Sequence, residues 1–326
     1  MCESPHAAQV VMNGGVCLNC IPFGRVLTGD MPRLVYQRRN AEVKTVVHWG
    51  QRKLLMSEIE FLTLHEGPEQ TVVVYAGAAP GTHVAMLSKM FPRVLFILVD
   101  PAPFSVKPSD RIQIVRALFS QKMAKKLGKK HPGLLFISDI RSGDRVRCDS
   151  ETLEHKIQDD MKLQMEWHLS MKPRRSMLKC RLPWTAGQTE YLDGDLYLPV
   201  WGPITTTETR LITTENCVTT KAYNNVEYEE RMFYFNTVAR PALYDHGVSG
   251  EGIDNCYDCR AEVGILSAYL SKHGVHDARM VAALSKLIST SIAPGRTLLD
   301  PTPDPASRDC NIRKKQWING RPAYER

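Results

Sequence analysis

The sequence has no uninterrupted apolar run near the roughly 18 residues that a membrane-spanning helix needs, so a membrane partner is not expected. It has no basic segment at its start, and the apolar stretch from Ala7 to Met12 is short for a signal peptide. It has no internal repeats. Its nine cysteines are odd in number and scattered over 326 residues, unlike the dense framework of a small secreted domain. These absences point to a soluble, intracellular chain in a reducing compartment. With 43% hydrophobic and 24% charged residues, it can build one large α/β domain or two small ones.

Charge is present and unevenly placed. The net value is +7, which favours acidic partners. Lys107 to His131 holds eight Lys/Arg against one acid, Asp110, and Met171 to Arg181 holds five and no acid. A solvated face explains either run alone. Two such runs flanking candidate reactive residues suggest a track for a phosphate backbone.

Periodicity organises the rest. Residues 1–50 are weakly periodic, carry a basic patch (Arg33, Arg38, Arg39), and read as an arm lying on the core. Residues 51–290 read as the main domain, and 291–326 as a basic, flexible tail. Lys53 to Leu64 suits a packed helix. Thr71 to Ala76, Val94 to Val99, Ile112 to Val115, Leu134 to Asp139, Ser176 to Cys180 and Thr209 to Thr213 suit strands. Helices are predicted between them, over Thr82–Met90 and Glu151–Ser170, and after them over Val226–Val238, Ala261–Ser271 and Asp277–Ile288. This alternation predicts a doubly wound, mostly parallel α/β sheet of Rossmann-like type. Ligands of such sheets bind outside the carboxyl ends of the strands, where Gly77, Asp100, Asp139 and Lys179 fall.

The first strand runs into Gly77-Ala78-Ala79-Pro80-Gly81, and Asp100 ends the next strand, 19 residues after Gly81. A glycine turn lets backbone approach a ligand, and an acid so placed accepts from both ribose hydroxyls of an adenosine. Ala79 and Pro80 depart from G-x-G-x-x-G. A pyrophosphate has less room and fewer N–H groups there, which favours S-adenosylmethionine over a dinucleotide. The bland alternative is a tight turn in an unliganded α/β protein.

Lys53, Asp139, Lys179 and Glu208 form a candidate reactive set. A hydroxyl must lose its proton as it attacks a methyl group, and only a neutral lysine can accept it. A second lysine and the cofactor's sulfonium would depress the pKa of the first, while Asp139 orients it. Taken singly, each of these residues is better explained by an ordinary surface or structural ion pair.

Several segments together resemble one family. They are Gly50-Gln51-Arg52-Lys53-Leu54-Leu55, Val74 to His83, Ile137-Ser138-Asp139-Ile140-Arg141-Ser142, Leu178-Lys179-Cys180-Arg181, Glu208-Thr209-Arg210-Leu211 and Tyr228 to Tyr234. In this order and spacing they are similar to the poxvirus cap-specific 2′-O-methyltransferase, which doubles as the processivity subunit of viral poly(A) polymerase. The resemblance implies a Rossmann-like S-adenosylmethionine-dependent methyltransferase with the tetrad Lys53, Asp139, Lys179 and Glu208, Lys179 being the general base. It implies cofactor contacts at Gly77, Ala79, Gly81, His83, Asp100, Leu118, Phe119 and Ile140. It implies a cap pocket with Tyr36 and Trp184 as stacking rings, Glu229 as an edge-reading acid and Arg181 beside them. Ala186 stands at the second acid position, with Glu190 and Asp193 as nearby acids. The partners implied are capped mRNA and a poly(A) polymerase catalytic subunit, in the host cytoplasm and the virion. A non-catalytic RNA-binding subunit and a 2′-O-methyltransferase of internal RNA positions stay open as alternatives.

Cys17-x-x-Cys20 and Cys256-x-x-Cys259 have zinc-ligand spacing, at a separation of 236 residues. Two unrelated thiol pairs is the plainer reading, and no metal is expected. If zinc is bound, it pins the N-terminal arm to the C-terminal helices.

Overall fold

Thr71–Ala76 (β1) and Leu135–Ser138 (β4) lie side by side within a seven-stranded sheet. Both are short, largely apolar runs buried on both faces, as strands covered by helices on two sides must be. The computed structural model describes residues 18–37, 50–143, 149–202, 206–293, 298, 317–318 and 321–322.

From β1 the chain moves outward through Val84–Met90 (α2), Val94–Val99 (β2) and Ile112–Val115 (β3). It then crosses back through Gln121–Lys130 (α3) to β4, on the other side of β1. Ser150–Met171 (α4) leads to Arg175–Cys180 (β5), and all five strands are parallel. Thr209–Thr213 (β8) runs antiparallel to β5, and Gly194–Tyr197 (β7) antiparallel to β8. Gln188–Leu192 (β6) and Thr220–Asn224 (β9) form a separate antiparallel ribbon. The sheet order β3-β2-β1-β4-β5-β8-β7 reverses direction between β1 and β4, which makes the crevice there a natural ligand site.

Gly50–His65 (α1) packs on the sheet together with Tyr257–Lys272 (α6) and Ala278–Ile292 (α7). A fully buried charge joins them. Arg52 donates from Nε to Glu262 Oε2 at 2.7 Å, from Nη1 to Ser289 Oγ at 2.8 Å and from Nη2 to Ser285 Oγ at 2.9 Å. Trp201 Nε1 donates to the same Glu262 carboxylate at 2.6 Å. A buried guanidinium survives only with such a set of acceptors.

Four strands, β1, β2, β3 and β8, have the bounds expected from sequence. The basic run before His131 differs: it contains a helix, α3, capped by Ser120 Oγ accepting from Met123 N at 3.3 Å. Ala124 is buried and Met123 and Leu127 half-buried on one side, while Lys122, Lys125, Lys126, Lys129 and Lys130 are exposed. The expected helix over 226–238 is divided into Asn225–Tyr234 (α5) and a π-helical turn, Phe235–Ala239. Beyond that turn the buried Arg240 reaches Asp258 at 2.9 Å and Gly202 O at 2.6 Å.

The described part of the arm, residues 18–37, lies on this core. Leu27 N donates to Leu196 O and Leu198 N to Arg25 O, both at 2.7 Å, while Arg25 pairs with Glu60 at 2.8 Å. Of the expected tail, Trp317–Ile318 pairs antiparallel with Arg321–Pro322. Most of the tail, and arm residues 1–17 and 38–49, lie outside the described residues. None of the described helices is long and apolar enough to cross a membrane.

Candidate active site

The carboxyl ends of the central strands are tied together by backbone. Gly77 N donates to Val99 O at 3.0 Å, Asp139 N to Ala76 O at 3.0 Å, and Asp100 N to Val115 O at 3.2 Å. Gly77 has φ +76°, and a Cβ there would lie 2.8 Å from Ile140 N, so glycine alone fits. The turn continues through a cis Ala79–Pro80 bond to Gly81 at φ +68°. Asp100 holds its far side: Oδ2 accepts from Ala79 N at 3.2 Å and Oδ1 from Ala102 N at 2.8 Å. A carboxylate has about four acceptor positions, so these bonds leave room for two hydroxyls.

Beside this turn, Lys53, Asp139, Lys179 and Glu208 come together from α1, the end of β4, β5 and the start of β8. Lys179 Nζ lies 2.8 Å from Asp139 Oδ1, and Lys53 Nζ lies 2.7 Å from Glu208 Oε1. A fifth residue joins the two pairs. Arg210 reaches Asp139 Oδ1 at 2.7 Å and Glu208 Oε1 at 3.2 Å, and Arg141 reaches Glu208 Oε2 at 3.3 Å. Sequence reasoning placed Arg210 in a matching segment but gave it no role. The available signal was its i, i+2 spacing from Glu208, which puts both on one face of a strand.

Burial is the largest influence on Lys179, and with Arg141 and Arg210 it outweighs the opposing pull of Asp139 and Glu208, bringing the amine down to about 8. The expected causes were a second lysine and the cofactor's sulfonium; in the structure burial and two arginines lower the amine, and Lys53 is paired to Glu208. Burial alone would raise Asp139, but Lys179 and Arg210 more than offset it and hold the carboxyl well below its usual range. Glu208 is held low in the same way, by Lys53, Lys179 and Arg210 against burial. The site is therefore two anions among four cations, with one lysine on the edge of neutrality.

Other residues singled out from the sequence are placed as follows. Ile140 touches the Gly77 turn. His83 turns away to α1, with Nδ1 at 2.8 Å from Gln51 Oε1 and Nε2 at 2.9 Å from the buried Glu58. Leu118 is exposed beyond β3, while the Phe119 ring packs on Trp167 and Phe136. Tyr36 packs edge-on against Phe233 of α5 at 5.3 Å, and Glu229 is one turn from Phe233 on the same side. The Trp184 loop meets the start of that helix, where Asn225 Nδ2 donates to Thr185 O at 3.1 Å. The buried Arg181 guanidinium lies 4.3 Å from the Trp184 ring centre and pairs with Glu154. Arg181, Lys179, Glu208 and Ile140 line one cleft together with Leu153 and Met161 of α4. Of the alternative acids, Glu190 is exposed on β6 opposite Ala222, and Asp193 follows the same strand.

A sheet of this order, with its site at the switch point, defines a Rossmann-like fold of the methyltransferase type. Comparison narrows the class. The family model described as poly A polymerase regulatory subunit matches residues 30–271, and the chain belongs to that family. A cap-specific mRNA (nucleoside-2′-O-)-methyltransferase of fowlpox virus (strain NVSL) is 31% identical over 215 residues, covering 60% of this chain and 68% of the relative. The protein of the same name from myxoma virus (strain Lausanne) is 26% identical over 226 residues, covering 62% and 64%. Among solved structures, bluetongue virus VP4, described as a multifunctional RNA-capping production line, aligns at 15% identity and a TM-score of 0.42. That alignment covers 71% of this chain and 39% of VP4.

Proposed function

We propose that the protein transfers a methyl group from S-adenosylmethionine to a ribose 2′-hydroxyl next to the 5′ cap of an mRNA. The observation that carries this reading is Lys179, a half-buried amine 2.8 Å from Asp139 and lowered to about 8, beside a glycine turn at the switch point. The cofactor, when bound, supplies an electrophilic methyl group on a sulfonium. Gly77, Ala79 and Gly81 supply the close backbone, and Asp100 has acceptor positions for the ribose. Asp139 fixes the amine of Lys179, which takes the hydroxyl proton onto Nζ as the oxygen attacks. Glu208 holds Lys53, and Arg210 holds both carboxylates in register.

The names of the fowlpox and myxoma relatives support the capped-mRNA substrate, and Tyr36 and Trp184, with Glu229 and Arg181, are the residues we assign to stacking and reading the cap. The family description supports a second role beside a poly(A) polymerase catalytic subunit. Because the relatives are viral, we place the protein in the host cytoplasm and the virion.

The deciding experiment measures labelled methyl incorporation into short RNAs bearing a 7-methylguanosine cap, an unmethylated cap or no cap. Incorporation into 2′-O-ribose of the methylated-cap RNA alone is expected. Equal incorporation into uncapped RNA would favour internal positions, and none into any RNA would favour a purely RNA-binding subunit.

A further inference from the structure

Strand β5 divides the second basic run between the two ends of the sheet. Lys179 and Arg181 stand toward its carboxyl end, while Lys172, Arg174 and Arg175 stand at its amino end, level with the start of β4. The first basic run is divided in the same sense. Helix α3 crosses from the end of β3 back to the start of β4, so Lys122 lies toward the carboxyl edge and Lys129 and Lys130 toward the amino edge. Between Lys122 and Lys130 the helix rises about 12 Å. Helix α4 runs the same way and ends at Met171. A Cβ at Gly128 would collide with Met171 O, so glycine is what lets the two helix ends meet. Lys129 and Lys130, next to Gly128, and Lys172, next to Met171, therefore share one edge.

Lys122, Lys125, Lys126, Lys129, Lys130 and Lys172 are all exposed, and α3 contains no acid. Among the described residues none of these lysines makes an ion pair, whereas Arg25, Arg33, Arg93 and Arg175 each reach a carboxylate. Lys122 and Lys126, Lys125 and Lys129, and Lys126 and Lys130 stand four residues apart, where like charges weaken a helix. Lys122 also lies in the first turn, where the helix dipole disfavours a cation. The line works against its own helix, and an anion from outside would offset that. Two histidines register the field at the amino edge. Burial, then Arg175, Arg174 and Lys272, bring His65 down to about 4, and burial, then Lys130, lowers His131.

We infer that this lysine line is a docking track for single-stranded RNA, carrying its phosphate backbone along α3 from the side of the site to the amino edge of the sheet. The inference rests on RNA as the substrate class and adds where the body of the strand lies once its 5′ end is held. Lysines on flexible stems meet phosphates as point charges. Contacts to phosphate position a strand without reading its bases, and α3 offers no aromatic ring on which a base could stack. Binding on the track is therefore independent of sequence and of the cap. The track ends at Lys172, because the cations beyond it are engaged: Arg174 donates to His65 O, and Arg175 donates to Thr213 O at 2.9 Å and lies 3.7 Å from Glu215.

The test uses the full chain and a long, uncapped single-stranded RNA, with binding followed by fluorescence anisotropy over a salt series. The combined variant Lys126→Gln, Lys130→Gln, Lys172→Gln should bind more weakly than wild type at low salt. Its plot of log affinity against log salt should be shallower by about two units, since each phosphate contact on a single strand contributes about 0.7. The combined variant Lys89→Gln, Arg279→Gln, Lys286→Gln removes the same charge from α2 and α7 and should bind as wild type does. All of these side chains are exposed, so neither variant opens the core. Methyl incorporation into a capped dinucleotide, which has no strand to lay on α3, should be the same in the lysine variant and wild type. Equal affinity and slope in the lysine variant and wild type would overturn the track and leave the surface to an acidic protein. Equal losses in both variants, or no RNA bound by wild type, would overturn it too. A wild type that binds RNA as expected but methylates none loses the proposed activity and keeps the track.

Discussion

Arg210 lies directly across the β5–β8 ladder from Lys179, and its guanidinium and the Lys179 amine converge on the same oxygen of Asp139, at 2.7 and 2.8 Å. Asp139 therefore divides its charge between a permanent cation and a titratable one. That division keeps Lys179 from being locked in its protonated form. Replacing Arg210 by Gln removes a neighbouring cation and leaves Asp139 to Lys179 alone, and both changes raise the Lys179 pKa. The rate–pH curve of Arg210→Gln should move to higher pH than wild type, with Arg210→Lys closer to wild type. Unmoved curves in both variants would remove Arg210 from the control of Lys179.

Lys179 itself should limit the rate below pH 8. With its amine at about 8, roughly a tenth is neutral at pH 7, and methyl transfer should rise with pH and level off above about 8. Lys179→Arg keeps the charge and cannot lose it. It should bind cofactor and RNA nearly as wild type while losing about 10²–10⁴ in single-turnover rate. An active Arg variant with an unchanged pH curve would mean that the proton leaves by another route.

Asp100→Ala should weaken S-adenosylmethionine by about 1–3 kcal/mol, the cost of a lost charged hydrogen bond. The carboxylate also holds Ala79 N and Ala102 N, so Asp100→Asn, which keeps one acceptor oxygen, should lose less. Calorimetry on both variants checks this, and unchanged affinity in Asp100→Ala takes the residue out of the site.

Trp184→Ala should erase the preference for a 7-methylated cap while leaving cofactor affinity alone. Stacking a cationic base is worth about 2 kcal/mol when desolvated, on the order of 30-fold. The Arg181 guanidinium already lies over this ring, so the base would use the opposite face or displace it. Competition between methylated and unmethylated caps measures the effect, and a surviving preference puts the pocket elsewhere.

Glu262→Gln should destabilise the fold by about 3–5 kcal/mol, because it leaves Arg52 buried with a neutral partner. Burial alone would raise the Glu262 carboxyl, but Arg52, Ser285 and Trp201 hold it below its ordinary 4.5. Its contribution is full above about 4.5 and is lost as pH falls through the lower folded value. Urea midpoints of the two proteins should therefore converge in acid; a constant gap would mean the pair contributes nothing that titrates.

Much of this was legible because it was local. The β-branched run of β1, the glycine turn and the acids ending β2 and β4 follow from strand length and turn chemistry, and they mark the switch point without any contact being known. What stayed hidden depended on pairing. Arg210 matters only once β8 is laid antiparallel on β5, which no periodicity announces. The lysines of α3 masked a short apolar side of Met123, Ala124 and Leu127. His83 stands in the cofactor loop by sequence, yet both ring nitrogens face α1. Leu18 and Cys256, far apart in sequence, are brought close only by their shared bridging to Leu243.

The joint between Arg52 and Glu262 also sets an order of events in synthesis. Arg52 precedes Lys53, and its carboxylate is made 210 residues later. At ~5–20 residues per second, that is on the order of 10–40 s during which α1 carries a guanidinium without its partner. A nascent chain can pair β1 with β2 and β4 long before α1 is anchored through Arg52. A ribosome stalled before α6 thus leaves a sheet with a cofactor turn and an α1 whose Arg52 lacks its carboxylate.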